Sequence, residues 1–143
     1  MLSNLAVGTG VILATVLIHT VGLIGITHAM GWLTSHFRMH GRRSRIVAIV
    51  TVVLGLFATL TIEIWIWAIG YLFLGAFADF ETGLYFSTVT FSTLGYGDVL
   101  PPEKRRLFAA LEAVNGFLVI GRSTAYLVAA STRVGPFRSG EHF

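Results

Sequence analysis

Three long apolar stretches, almost free of charged side chains, constrain what this chain can fold into. They cover residues 5–35, 46–78 and 107–132. The first contains no acidic residue, lysine or arginine, the second contains only Glu63, and the third contains Glu112 and Arg122. About 20 apolar residues suffice for a helix that crosses a bilayer, and in lipid the backbone polar groups must be satisfied within the segment. The sequence therefore predicts an all-α membrane protein with three transmembrane helices.

Composition supports a membrane protein and argues against an enzyme. Charged residues make up 12% of the chain, about half the share found in an ordinary soluble domain. The chain has no cysteine, which excludes disulfides, thiolate metal sites and cysteine nucleophiles. The sequence shows no pairing of a nucleophile with a base, no metal-ligand spacing and no nucleotide-binding loop. We expect no enzymatic activity, no cofactor, no nucleic-acid partner and no small-molecule substrate.

The distribution of arginines predicts the orientation in the cell membrane. Residues 35–45 carry four arginines between the first two stretches, and short basic loops stay on the cytoplasmic side. The N-terminus and residues 79–106 are then outside, and the tail 133–143 is cytoplasmic. The basic run 103–106 opposes this assignment, because it falls on the outer side.

An irregular segment separates the second and third stretches. Residues 82–93 mix apolar, aromatic and hydroxyl side chains and are predicted to form a helix too short to cross the bilayer. The sequence TLGYGD, residues 93–98, follows. Gly95 and Gly97 tolerate positive φ, so successive carbonyl oxygens can point to one side and replace the hydration shell of a cation. The alternative is a surface loop with two turn-forming glycines.

The TLGYGD sequence, preceded by a short helix and flanked by apolar spans, resembles the selectivity filter of the potassium-channel family. The similarity covers residues 84–120, and Leu94 stands where valine or isoleucine is commoner. The resemblance implies that K⁺ is the transported ligand. It also implies a cyclic homotetramer in the lipid bilayer, because one chain supplies only one filter strand. The implied ion-binding residues are Thr93, Leu94, Gly95, Tyr96 and Gly97, with K⁺ held at the first four of them.

The resemblance also implies how the chain is divided and what supports the filter. Tyr85 matches the family's pore-helix aromatic that bonds the acid after the last filter glycine, here Asp98. The alternative is that Tyr85 only packs at the membrane interface. Val89 stands where many relatives carry a glutamate. The predicted parts are an extra N-terminal helix 1–35, a pore domain 46–132 with outer helix 46–78, pore helix and filter 82–98 and inner helix 106–132, and a cytoplasmic tail 133–143.

The third span carries a polar stripe on one helix face. Helical spacing places Glu112, Asn115, Val119, Arg122 and Tyr126 together. Glu112 either faces the cavity or pairs within the bundle behind the filter. Arg122 either faces the pore, where it would oppose cation flow, or reaches headgroups or an acid elsewhere. The candidates for a gate or cavity lining are Asn115, Gly116, Gly121 and Arg122; close helix packing is the alternative role for Gly116.

Two further features leave alternatives open. Glu63 in the second span faces either of two histidines of the first, His19 or His28, as a pH-sensitive contact or as a static hydrogen bond. The leading function is potassium-selective conduction. The alternatives are a poorly selective cation pore and a non-conducting regulatory membrane subunit. No span carries an arginine at every third position, so no voltage sensor is predicted, and the gating stimulus stays open.

Overall fold

The computed structural model describes residues 1–36 and 42–134, and this part of the chain is helical without any strand. Its elements are α1 (Leu2–His36), α2 (Arg42–Phe73), α3 (Phe80–Phe91), a single 3₁₀ turn (Glu103–Arg105) and α4 (Arg106–Val134). Three helical segments are long and apolar enough to cross a membrane: Leu2–Leu33, Ile46–Phe73 and Glu103–Arg133. The prediction of an all-α protein with three transmembrane helices is confirmed. The predicted tail beyond residue 134 lies outside the described residues, as does most of the arginine-rich connection.

Helix α2 ends at Phe73, so the predicted end of the outer helix at residue 78 is wrong. Gly75 has a φ of 62°, its N–H donates to Leu72 O at 2.9 Å, and the next N–H, of Ala76, donates to Tyr71 O at 2.9 Å. This pair of bonds is a Schellman motif, which terminates helices at a glycine in the left-handed region. Gly75 was the sequence signal for the end of this helix, but it lies within an apolar run that continues to residue 78.

Helix α3 begins earlier than the predicted residue 82, because Asp79 caps it. Asp79 is extended (φ −133°, ψ 158°), and its Oδ1 accepts the Thr82 N–H at 2.8 Å. The Thr82 hydroxyl donates to Asp79 Oδ2 at 2.9 Å. These bonds to the carboxylate lower the pKa of Asp79, and a carboxylate at this end also complements the helix dipole.

The helices pack as two antiparallel pairs that share α2. Helix α1 runs antiparallel to α2 and parallel to α4, and α3 is held between α2 and α4. Aromatic rings fill the space around α3: Tyr71 meets Phe108 at a centroid distance of 4.9 Å and Phe86 at 5.1 Å, both edge to face. Such pairs add to the dispersion energy of the contact. The larger of two buried apolar clusters therefore lies where α3 is inserted.

Small residues let α1 approach its neighbours closely. A Cβ at Gly22 would lie 2.7 Å from the Thr59 hydroxyl, and one at Gly55 would lie 2.5 Å from Ile26. Close backbone approach at glycine is a usual source of packing energy between membrane helices. Helix α1, which the resemblance leaves outside the pore unit, is thus packed against it over its length.

Candidate functional site: the TLGYGD segment and its supports

The TLGYGD segment leaves the C-terminal end of α3 with an alternating backbone. Thr93, Gly95 and Gly97 have φ values of 62°, 57° and 75°. The positive φ predicted for the two glycines is confirmed, and Thr93 shares it. For a non-glycine residue the left-handed region costs about 1–2 kcal/mol, so the surrounding contacts must hold Thr93 there. The alternation turns successive peptide groups in a regular way along the segment.

Hydrogen bonds fix the start of this segment but leave its carbonyl oxygens open. The N–H groups of Leu94 and Gly95 both donate to Val89 O, at 3.0 and 3.1 Å, and Thr93 N–H donates to Thr90 O at 3.0 Å. Within residues 1–36 and 42–134, no group donates to the carbonyl oxygens of residues 93–97. Since a backbone carbonyl without a protein donor needs another partner, these oxygens are available to a cation or to water.

A hydrogen bond ties the far end of the segment to α3. Tyr85 Oη donates to Asp98 Oδ2 at 2.5 Å, and Val99 N–H donates to Asp98 Oδ1 at 3.0 Å. The bond raises the pKa of Tyr85 and lowers that of Asp98, because it favours the neutral phenol beside the ionised carboxylate. The predicted contact between these side chains is present, so both ends of the segment are anchored to α3.

Replacing Tyr85 should make the stability of the protein less sensitive to acid. The lowered pKa of Asp98 means that its ionised form stabilises the fold above the ordinary aspartate pKa of about 3.9. This contribution is lost as the pH falls through the lower folded value. In Tyr85→Phe the donor is gone, so thermal unfolding midpoints should fall less steeply between neutral and acidic pH.

A matched control for that experiment is Tyr126→Phe. It removes a phenol hydroxyl whose partner is the Thr27 hydroxyl, so no carboxylate is affected. Its unfolding midpoints should keep the wild-type pH dependence. An unchanged acid sensitivity in Tyr85→Phe would contradict a stabilising bond to Asp98.

A buried carboxyl group joins helices α2, α3 and α4. Glu112 of α4 is fully buried. Its Oε2 accepts from the Tyr71 hydroxyl of α2, and its Oε1 lies 2.5 Å from Ser87 Oγ of α3. Ser87 Oγ is also 2.9 Å from the carbonyl oxygen of Ile64. Glu112 was predicted either to face the cavity or to pair within the helix bundle, and in the structure it pairs within the bundle.

One glycine of α4 touches the backbone of α3. A Cβ placed at Gly116 would lie 2.9 Å from the Cα of Phe91, the last residue of α3, and closer still to its carbonyl oxygen. A Cβ at Gly121 would have nothing within 4 Å. Gly116 therefore occupies a point of close packing, whereas Gly121 is open.

Comparison with known proteins agrees with this geometry. Residues 58–133, slightly more than half of the 143-residue chain, match a protein family described as "Ion channel". The chain belongs to the ion-channel family. The matched region starts within α2 and ends in α4, so the resemblance to two-span potassium-channel-like pores is confirmed. No curated protein matches the chain, and no solved structure matches it.

Two of the predicted polar residues of the channel's α4 contact α1. Asn115 Nδ2 donates to Thr15 Oγ1 at 3.1 Å, and Arg122 Nη1 donates to Thr20 Oγ1 at 3.2 Å. Asn115 is buried, while Arg122 is exposed apart from this contact. The predicted polar stripe is thus divided, with Glu112 directed at α3 and the residues further along directed at α1.

The N-terminal end of α1 is fixed by the basic run 103–106. Arg105 Nη1 donates to Asn4 Oδ1 at 2.8 Å, and Asn4 Nδ2 donates to Lys104 O at 2.5 Å. Arg106 and Glu103 form an exposed ion pair at 3.7 Å. Lys104 and Arg105 therefore attach α1 to the 3₁₀ turn that precedes α4.

A histidine of α1 and a carboxyl group of α2 are in contact in the buried interface between the two helices. His19 Nδ1 lies 3.1 Å from Glu63 Oε1, and both side chains are fully buried. His19 Nε2 and Glu63 Oε2 have no partner among the described residues. His28 is exposed and bonds the carbonyl of Ile24 instead. The predicted contact therefore involves His19, and both the static and the pH-sensitive interpretation require it.

Proposed function

We propose that this channel conducts K⁺ selectively, through a filter that four copies of the chain build around one axis. The observation that carries the proposal is the TLGYGD backbone. Positive φ alternates at Thr93, Gly95 and Gly97, and none of the described residues donates to the carbonyls of residues 93–97. A column of such oxygens is the arrangement that replaces the hydration shell of K⁺ in potassium channels.

In this mechanism the backbone supplies the ligands and α3 supplies the field. K⁺ is held at Thr93, Leu94, Gly95 and Tyr96, and the Thr93 hydroxyl adds an oxygen at the inner mouth. Helix α3 ends at Phe91, immediately before these residues, and a helix C-terminus carries roughly half a negative charge. That end favours a cation over an anion near the inner mouth. The bond from Tyr85 to Asp98 then acts as a brace at the outer end.

The tetramer follows from the geometry that coordination needs. One segment surrounds an ion on one side only, so cyclic symmetry supplies the other ligands. Helix α4 has an exposed apolar face that would line the pore and pack against neighbouring copies. This face includes Val114, Phe117, Leu118 and Val128. Tyr96, which is 68% exposed, is available to the adjacent copy. The arginine-rich connection is placed in the cytoplasm, with the N-terminus outside.

Ion flux from liposomes that contain the purified full chain tests this proposal. We expect efflux of K⁺ and little efflux of Na⁺ under the same gradient, with none from empty liposomes. Equal fluxes of the two ions would make the protein a poorly selective cation pore. An absence of flux from correctly folded protein would favour a regulatory subunit that does not conduct.

Arg122→Ala tests whether the arginine obstructs the pore. Because its guanidinium donates to Thr20 of α1, we place it on the α1 side of the inner helix and outside the cavity. The unitary current of Arg122→Ala in planar bilayers should then equal that of the wild type. A large rise in unitary current would put the four arginines in the ion path instead.

A further inference from the structure

We propose that Glu112 carries a proton in the folded channel and that, as a neutral carboxylic acid, it positions α3 and the filter attached to it. The protonation itself does not depend on what the channel conducts. Its consequence for conduction rests on the proposed potassium-channel function. Glu112 contacts no ion, so it is a positioning residue that acts through α3.

No cation accompanies the buried carboxyl group of Glu112 among the described residues. Glu112 is fully buried within a membrane-spanning helix. Among the described residues the ion pairs are His19 with Glu63 and Arg106 with Glu103, so no cation pairs with Glu112. An ionised carboxylate without a partner is strongly disfavoured in such surroundings, and neutralisation by a proton is the usual outcome.

The two contacts of the Ser87 hydroxyl require one hydrogen atom more than the hydroxyl itself supplies. Ser87 Oγ lies within hydrogen-bond distance of two oxygens, Ile64 O at 2.9 Å and Glu112 Oε1 at 2.5 Å. A serine hydroxyl has one hydrogen and cannot donate to both. With a proton on Oε1, Glu112 donates to Ser87 and Ser87 donates to Ile64 O. The Tyr71 hydroxyl then donates to Oε2. Every contact in the network is satisfied by this assignment.

The network runs from α2 through α3 to α4 and back to α2. Tyr71 and the Ile64 carbonyl belong to α2, Ser87 belongs to α3, and Glu112 belongs to α4. Tyr71 is the only titratable side chain bonded to Glu112 among the described residues, and no charged group of α1 contacts it. Loss of the proton would leave Ser87 able to bond either the carboxylate or Ile64 O, but not both. Deprotonation would therefore loosen α3 from α2.

Infrared spectroscopy of the reconstituted full chain tests the protonation directly. The wild type at neutral pH should show the carbonyl stretch of a protonated carboxylic acid, and this band should be missing from Glu112→Gln. Glu63→Gln is the matched control, since it changes the other buried glutamate of the spans and leaves the band of Glu112 in place. If Glu112→Gln instead loses a carboxylate band, the proposal is overturned. This readout holds even if the protein conducts no K⁺.

Flux measurements test the positioning role, because glutamine mimics the neutral acid. Its amide donates to Ser87 and its oxygen accepts from Tyr71, so Glu112→Gln should keep wild-type K⁺ flux and selectivity at neutral pH. Wild-type flux should fall at alkaline pH as the acid ionises, while that of Glu112→Gln stays flat. Glu112→Ala leaves two buried hydroxyls without this partner and should lose roughly tenfold or more in flux.

Two results would contradict the positioning role. One is a folded Glu112→Gln protein, with a wild-type unfolding midpoint, that has lost K⁺ flux at neutral pH. The other is the same alkaline decline in Glu112→Gln as in the wild type. If Glu112→Ala does not fold, Ser87→Ala provides the second variant. It removes the hydroxyl on α3 and should reduce flux without abolishing the infrared band of Glu112.

Discussion

Gly95→Ala should abolish selective K⁺ flux, which is the largest functional effect that we expect from a single methyl group. Gly95 has a φ of 57° and open space around the position of a Cβ, so the penalty is conformational and not steric crowding by neighbours. A residue with a Cβ costs about 1–2 kcal/mol in this region, or roughly 4–8 kcal/mol over four copies. Relaxation of φ to a negative value would turn a carbonyl away from the ion path.

Gly25→Ala is the control for this prediction. Gly25 lies in α1, a Cβ there has nothing within 4 Å, and its φ is not in the left-handed region. The same chemical change should leave flux and selectivity unaltered, because alanine favours a helix over glycine by about 1 kcal/mol. Both variants are compared in the liposome assay for K⁺ and Na⁺. Retained selectivity in Gly95→Ala would remove the main support for a filter made of backbone carbonyls.

Local sequence signals predicted the features that depend on few residues. The apolar stretches are long enough to fix three helices whatever their packing. The freedom of glycine predicted positive φ at Gly95 and Gly97, and the resemblance predicted the contact of Tyr85 with Asp98. Thr93 is different, since a β-branched residue rarely adopts positive φ. Its conformation depends on the bonds around the end of α3, which no property of threonine itself predicts.

The contacts between α1 and α4 were beyond sequence reasoning for a different reason. Thr15, Thr20 and Thr27 of α1 all bond α4, yet each also donates to, or lies near, a carbonyl of its own helix. A threonine that bonds the preceding turn is ordinary in a membrane helix and gives no sign of a partner. Only the parallel packing of α1 on α4 brings these hydroxyls to Asn115, Arg122 and Tyr126. The signal is therefore tertiary.

Gly116→Ala should destabilise the channel strongly, and the comparison with Gly121→Ala separates packing from hinge motion. At Gly116 the new methyl group would meet the backbone of Phe91. A neighbouring side chain could rotate away from the new methyl group, but the backbone at the end of α3 can relieve the contact only if the whole helix end shifts. Overpacking costs about 1–3 kcal/mol and occasionally more, and we expect the upper end of this range for each copy. The displaced α3 would also carry the TLGYGD segment with it.

Thermal unfolding and K⁺ flux should therefore both suffer in Gly116→Ala and neither in Gly121→Ala. At Gly121 no neighbouring atom lies within 4 Å of the position that a methyl group would take, so alanine there changes only the flexibility of α4. If Gly121→Ala leaves the unfolding midpoint unchanged but shifts the open probability, Gly121 is the hinge and Gly116 is the packing residue. An unfolding midpoint of Gly116→Ala equal to that of the wild type would contradict the close approach of α4 to the backbone of Phe91. Because the two substitutions add the same atoms to the same helix, a lower unfolding midpoint in Gly116→Ala alone would report the contact of its methyl group with Phe91.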